Sequence, residues 1–294
     1  MGLALVGCAV GRPTNEQRGD DAWHDARWAD AVAAYRAVGT NPRIVAKLAD
    51  AALQGGLLTE SADAWTQLGT EAPDRSAEAA AGLARVAQAA EKAGNSVALV
   101  HALLGLHAIA PQWPLARLAS RLTDVNGLPA GDVAGVTPAI LASSPGRAEV
   151  ERWLVTLGRA DQARGSCEVA VPILEGALRT TTNTGLRDSA TTTLAWCELG
   201  LGLTALAGAR SGEAERWLDR AAHREPDAPV ARRALIGFGD ARAAQGDTAS
   251  AKAAWEAVLA ATPPDSLTQL ASQRLQQAGA RAPGDTVTVR PGPP

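Results

Sequence analysis

Between Arg232 and Pro263 small and apolar residues recur on a helical rhythm. Leu235, Phe238 and Gly239 come first, then Ala251, Trp255 and Val258, with Gly246 between the two groups. Apolar positions at i, i+3 and i+4 mark the buried face of an amphipathic helix. The pattern predicts two helices of about a dozen residues each, meeting at Gly246-Asp247, with Asp247 or Thr248 capping the second. Gly239 and Ala251 fall where the two helices cross closely. Trp255 is the large side chain that fills the space beside them.

The same ladder recurs along the chain. Leu201-Gly202-x2-Ala205 is followed by Ala214-x3-Leu218-x2-Ala221 and Pro226. Leu157-Gly158, Gly165 and Ala170-x3-Leu174-x2-Ala177 give it again without the closing proline. Upstream stand Leu83, Val86-Ala87-x2-Ala90, Gly94, Leu99-x3-Leu103-x2-Leu106 and Pro111. Before them come Val45, Leu48-Ala49-x2-Ala52, Gly56, Ser61-x3-Trp65-x2-Leu68 and Pro73. The first copy is the least regular, with Gly19, Ala22, Trp28 and Ala31-x3-Tyr35-x2-Val38.

Small, small, large, proline at these intervals resembles the tetratricopeptide repeat, whose pattern is W-x2-L-G-x2-Y, then A-x3-F, then P. Arg242 stands at the usual Tyr position, and the copies lie about 30 to 44 residues apart rather than a strict 34. The resemblance implies an all-α fold, an α-solenoid of helix pairs, here in two lobes. It also implies that the first helix of each pair lines an inner groove, where a peptide or a partner helix lies.

Composition shifts divide the chain further. Residues 19–125 form the first predicted lobe, closed by an apolar helix from Leu115 to Leu122. Residues 126–146, rich in Gly, Pro, Ala and Ser, read as a linker with one short turn at Ala139 to Ala142. Residues 147–279 form the second lobe, ending in a helix capped at Asp265 or Ser266. Pro172 falls inside one of its helices, near the first turns or at a kink. The Pro- and Gly-rich residues 280–294 are expected to be disordered when free.

Residues 1–18 read as a truncated signal, a lipobox and a polar tether over residues 9–18. Leu5-Val6-Gly7-Cys8 resembles the lipobox of bacterial lipoproteins, in which the cysteine is acylated after cleavage. The resemblance implies lipidation at Cys8 and a periplasmic, membrane-anchored protein. Ala9 is not the Asp that retains such proteins in the inner membrane, which implies the outer one. The apolar run is short and has no basic flank, which a start upstream of Met1 would explain.

Bulk properties narrow the function classes. The net charge is −3 with no basic stripe, so nothing favours nucleic acid. No charge-free window of eighteen apolar residues appears, which argues against a membrane-spanning helix. Aromatics are 3% of the chain, and Trp makes up eight of them; several stand at the large position of a repeat, a packing use. Cys167 and Cys197 fall on helices expected to pack antiparallel. They read either as a disulfide or as two small buried hydrophobes.

Chemistry-bearing motifs are absent. There is no phosphate-binding loop and no serine nucleophile elbow, and the four histidines are scattered, so no catalytic residue, cofactor or metal is expected. Gly200-x-Gly202-x2-Ala205 imitates a dinucleotide fingerprint, but it falls mid-helix with no strand before it.

Repeat geometry then places the groove residues. The first lobe would present Arg43, Lys47 and Asp50, followed by Arg85, Gln88 and Lys92. The second would present Arg152 and Arg159, then Trp196, Leu199, Leu203 and Leu206, then Arg233 and Asp240. Leu194 to Ala207 is apolar on nearly all sides, so its neighbours bury it or it awaits a partner. In the latter case Trp196 is the anchor and the arginines are the rim. The expected function is that of a non-enzymatic, envelope-anchored scaffold that binds other proteins. The alternative is a permanent structural subunit of a large respiratory or photosynthetic membrane complex, docked on its periplasmic face.

Overall fold

A computed structural model describes residues 13–119, 122, 128–143, 145–260 and 265–279. All regular structure among these residues is helical. The chain divides into two compact units, residues 1–145 and 146–294. The first holds α1 (Asn15–His24), α2 (Trp28–Arg36), α3 (Pro42–Gln54), α4 (Leu58–Glu71), α5 (Ser76–Ala93), α6 (Ser96–Ile109), α7 (Ala116–Ala119) and α8 (Ala130–Ala142). The second holds α9 (Arg147–Ala163), α10 (Cys167–Thr180), α11 (Thr184–Ala207), α12 (Ser211–Arg224), α13 (Pro229–Ala244), α14 (Thr248–Leu259) and α15 (Ser266–Gly279). Within each unit consecutive helices pack on one another.

One register runs through six helix pairs. A small residue in the first helix is followed, sixteen positions on, by the large side chain of the second. The pairs are Gly19 with Tyr35, Ala49 with Trp65, Ala87 with Leu103, Gly158 with Leu174, Gly202 with Leu218 and Gly239 with Trp255. A methyl group added at Gly19, Gly158, Gly202 or Gly239 would run into its partner's side chain. Close approach of the two backbones therefore depends on the missing carbon. The second helix closes the contact with Ala31, Ser61, Leu99, Ala170, Ala214 or Ala251, all buried.

The turns are equally regular. Seven residues after the small position, Ala26, Gly56, Gly94, Gly165, Ala209 and Gly246 all adopt positive φ. In each turn the following amide donates back across the turn, as from Leu57 to Ala52, Asn95 to Ala90 and Asp247 to Arg242. The left-handed residue donates too, as from Gly56 to Leu53 and Gly246 to Ala243. Paired bonds of this kind satisfy the last carbonyls of the first helix and reverse the chain into the second. Asp247 then caps α14 by accepting from the Ser250 amide, and Asn95 caps α6 through the Ala98 amide.

Three sequence expectations are corrected. The tether expected over residues 9–18 already contains α1, because Thr14 and Gln17 form a reciprocal capping box. The closing helix expected from Leu115 to Leu122 begins only at Ala116, with α7, and Leu115 and Leu122 lie outside regular structure although both are buried. The linker expected over 126–146 carries thirteen-residue α8 rather than one short turn. Val133, Val136, Thr137 and Ile140 supply a helical apolar face for α8, which packs on α6. Pro138 lies inside α8 on its exposed side, away from the packed face. His101 of α6 also reaches α8, standing 3.9 Å from Asp132 and 3.0 Å from Asp63 of α4.

Candidate protein-binding face

The first helices of the pairs carry most of the predicted groove residues, and the two units dispose their charges differently. In residues 1–145 the charges pair with one another. Glu16 of α1 lies 2.8 Å from Arg43 and 3.0 Å from Lys47 of α3. Asp20 of α1 lies 2.7 Å from the same Lys47 Nζ, and the Tyr35 hydroxyl donates to it at 2.8 Å. Asp50 of α3 accepts from Arg85 of α5 at 3.0 Å. The ladder thus crosses three helices and cancels most of its own charge.

Titration of these groups reflects the pairing. Burial works against the charged form of Asp20, yet the Lys47 and Tyr35 hydrogen bonds outweigh it and hold the carboxyl below its ordinary value. Lys47 is likewise desolvated, but Asp20 and Glu16 win and raise it. Burial, reinforced by the bond to Asp20, pushes the Tyr35 phenol far above its usual range. These ammonium and carboxylate groups are committed to each other.

In residues 146–294 the equivalent surface is different. Two positions before the small residue, where the first unit has Lys47 and Arg85, the second has Thr156, Gly200 and Gly237. A carbon added at Gly200 meets nothing, whereas one at Gly237 would touch Leu203 and Leu218. Along α11 the outward stripe is Trp196, Gly200, half-buried Leu203, Thr204 and Ala207, with no charge on it. Trp196 is 45% exposed, whereas Tyr35, Trp65 and Trp255 fill helix crossings and are buried. Helices α9 and α13 pack on either side of α11 and carry exposed Arg159 and Arg233. Neither arginine has an ion-pair partner among the described residues.

Two carboxylates of these first helices are buried instead. Glu198 of α11 is fully buried and accepts from Arg220 at 2.6 Å and Arg224 at 2.8 Å, both on α12. Glu175 of α10 joins the same group beside Arg220 and Arg224. Asp240 of α13 is gripped by two nitrogens of Arg274 on α15, at 2.8 and 3.1 Å. Burial raises the Asp240 carboxyl, and Arg274 only partly offsets it. These interior clusters were not singled out in the sequence. The signal available was a carboxylate one position off an apolar stripe, as with Glu198 beside Cys197 and Leu199.

The structure sorts the expected groove residues accordingly. Arg43, Lys47, Asp50 and Arg85 are drawn together into the ladder. Arg152 stacks its guanidinium 5.2 Å from the Trp153 ring. Arg159, Trp196 and Arg233 are exposed, and Leu203 is half-buried. Leu199 is corrected: it is buried against Leu218, Ala221 and Val230 and offers nothing to a partner. Asp240 is corrected likewise, being buried and held by Arg274. Cys167 and Cys197 are joined by a disulfide with Cα atoms 5.1 Å apart, linking α10 to the middle of α11. Cys8 lies outside the described residues, as does the 280–294 tail. The dinucleotide-like Gly200 and Gly202 sit mid-helix, with Gly202 against Leu218. No helix among the described residues is long and apolar enough to cross a membrane. The chain matches no protein-family model and no curated protein.

Proposed function

We propose that this chain is a non-enzymatic protein-binding scaffold, an α-solenoid of tetratricopeptide-like helix pairs that captures partner proteins on the first-helix face of residues 147–279. Lipid attachment at Cys8 would hold it to the envelope from the periplasmic side, consistent with a disulfide between Cys167 and Cys197. One observation carries the reading: Trp196 stands exposed on an uncharged helix face, although burying an indole is strongly favourable. Interface anchors are typically such aromatic side chains, ringed by groups that exclude water.

Purification of the tagged full-length protein from its host in mild detergent tests it. Trp196→Ala should lose the co-purifying partner with an unchanged melting temperature, since the side chain contributes little to the core. Partner capture that survives Trp196→Ala, or a melting temperature that falls with it, would count against this face. Fatty-acid labelling lost on Cys8→Ser tests the anchor separately. Recovery of one stoichiometric membrane complex would instead make the chain a permanent subunit.

A further inference from the structure

The two units differ in where the acid comes from. In the first, every basic residue of the ladder meets a carboxylate supplied by the neighbouring first helix: Glu16, Asp20 or Asp50. In the second, the positions equivalent to Glu16 are Val155, Leu199 and Ile236, and those equivalent to Asp20 and Asp50 are Arg159, Leu203 and Asp240. Asp240 is already consumed by Arg274. Arg159 and Arg233 are therefore left exposed, with no ion-pair partner among the described residues, on either side of the Trp196 stripe.

Resting on the scaffold reading above, we infer that the partner presents an extended segment in which an aromatic or aliphatic residue lies between two carboxylates. The apolar residue sits against Trp196 and Leu203 over the open floor at Gly200. The carboxylates pair with Arg159 and Arg233, whose planar guanidinium groups suit two-point binding. Spacing follows from the frame. Neighbouring helices lie about 8–10 Å apart, so α9 and α13 are separated by roughly twice that across α11. Arg159 and Arg233 are also offset by seven register positions, about 10 Å along the helix axis at ~1.5 Å per residue. The diagonal is about 20 Å, which an extended chain covers in about six residues at ~3.3 Å each. A second copy of the chain is disfavoured, because a self-complementary contact would bring like arginines together.

Selection of a random twelve-residue peptide library, displayed on phage, against the oxidised full-length protein tests this. Enriched sequences should carry acids about six residues apart around an apolar residue. The selected peptide, made synthetically, should lose roughly 30-fold in affinity on Trp196→Ala. It should lose about tenfold on either Arg159→Glu or Arg233→Glu, and bind more weakly as salt rises. Lys47→Met, in the self-paired ladder, should leave binding unchanged, and circular dichroism melts should show every variant folded. Basic or charge-indifferent enrichment, no enrichment at all, or binding indifferent to both arginine reversals would overturn the inference. If host-partner capture still needs Trp196 while acids are not enriched, the scaffold reading stands and this inference falls.

Discussion

Residues 1–145 and residues 146–294 use one helix-pair frame and dispose of charge differently. The first keeps Glu16, Asp20, Lys47, Asp50 and Arg85 on the outer face of its first helices, where they neutralise each other. The second buries its carboxylates: Glu198 meets Arg220 and Arg224 of α12, and Asp240, at the register position of Asp20 and Asp50, meets Arg274 of α15. Its first-helix face is left with an uncharged stripe at Trp196, flanked by exposed Arg159 and Arg233. A repeat register decides where side chains point, but leaves open whether a surface is spent on self-pairing or kept for another molecule. In the first unit the arithmetic is closed; in the second it is not.

Breaking the interior cluster should have the largest effect. Glu198→Ala leaves Arg220 and Arg224 facing each other without their fully buried acid. Loss of one partner from a buried charged group costs about 3–5 kcal/mol. Urea unfolding of wild type and variant would measure it. A loss under about 1 kcal/mol would mean that water reaches the cluster and that the inward displacement of charge is not structural.

Two glycines on α11 sharpen the contrast between packed and open sides of one helix. Gly202→Ala presses a methyl into Leu218 and should destabilise by about 1–3 kcal/mol. Gly200→Ala meets open space and should stabilise by about 0.5–1 kcal/mol through helix propensity. Thermal melts that move both variants the same way would show that the Gly200 side is covered.

Breaking the outer ladder should cost less, and in a pH-dependent way. Lys47 and Asp20 are 31% and 40% exposed, so Lys47→Met should lose only about 0.5–1 kcal/mol. Asp20 lies below 3.8 in the fold, so its contribution is present above that value and fades as pH falls through the folded value. Lys47 lies above 10.5, so its contribution is present below that value and fades as pH rises through the folded value. The gap between wild-type and Lys47→Met melting temperatures should be widest near neutrality and narrow towards both extremes. A pH-independent gap would mean that the lysine acts through its stem rather than its charge.

The smallest effect is expected in the turns. Ala26 and Ala209 hold φ of 56°, where the other four repeats use glycine. Relief of the Cβ clash, set against the greater freedom of unfolded glycine, should make Ala26→Gly and Ala209→Gly stabilising by about 0.5 kcal/mol. One alanine lies in each unit, so equal gains would show that the frame is common to both whatever their charges do.

Much of the frame was legible in the primary structure. Gly239, Gly246, Ala251 and Trp255 encode a close crossing, a left-handed turn and a knob. These are local requirements on backbone and volume that few residue types can meet. Helix α8 was also written there, as Val133, Val136, Thr137 and Ile140, but its Gly and Pro content masked the period. The tether was misplaced for a similar reason: Thr14-x2-Gln17 is a capping signal set in a polar run that otherwise resembles linker. Repeat register placed Trp196 on the groove side, but left open whether its neighbours bury it.

The amino-acid order alone settled that the chain forms helices, where they reverse and which residues must be small. Each of those depends on neighbours within about twenty positions along the chain. What only the folded molecule decided was the fate of the charged and apolar residues left over. Arg43 and Lys47 find Glu16 about thirty residues upstream, Glu198 finds Arg224, and Arg159 and Arg233 find no ion-pair partner among the described residues. Pairing of that sort depends on which side chains meet across helices, and Coulomb attraction and desolvation act on that distance rather than on position in the chain.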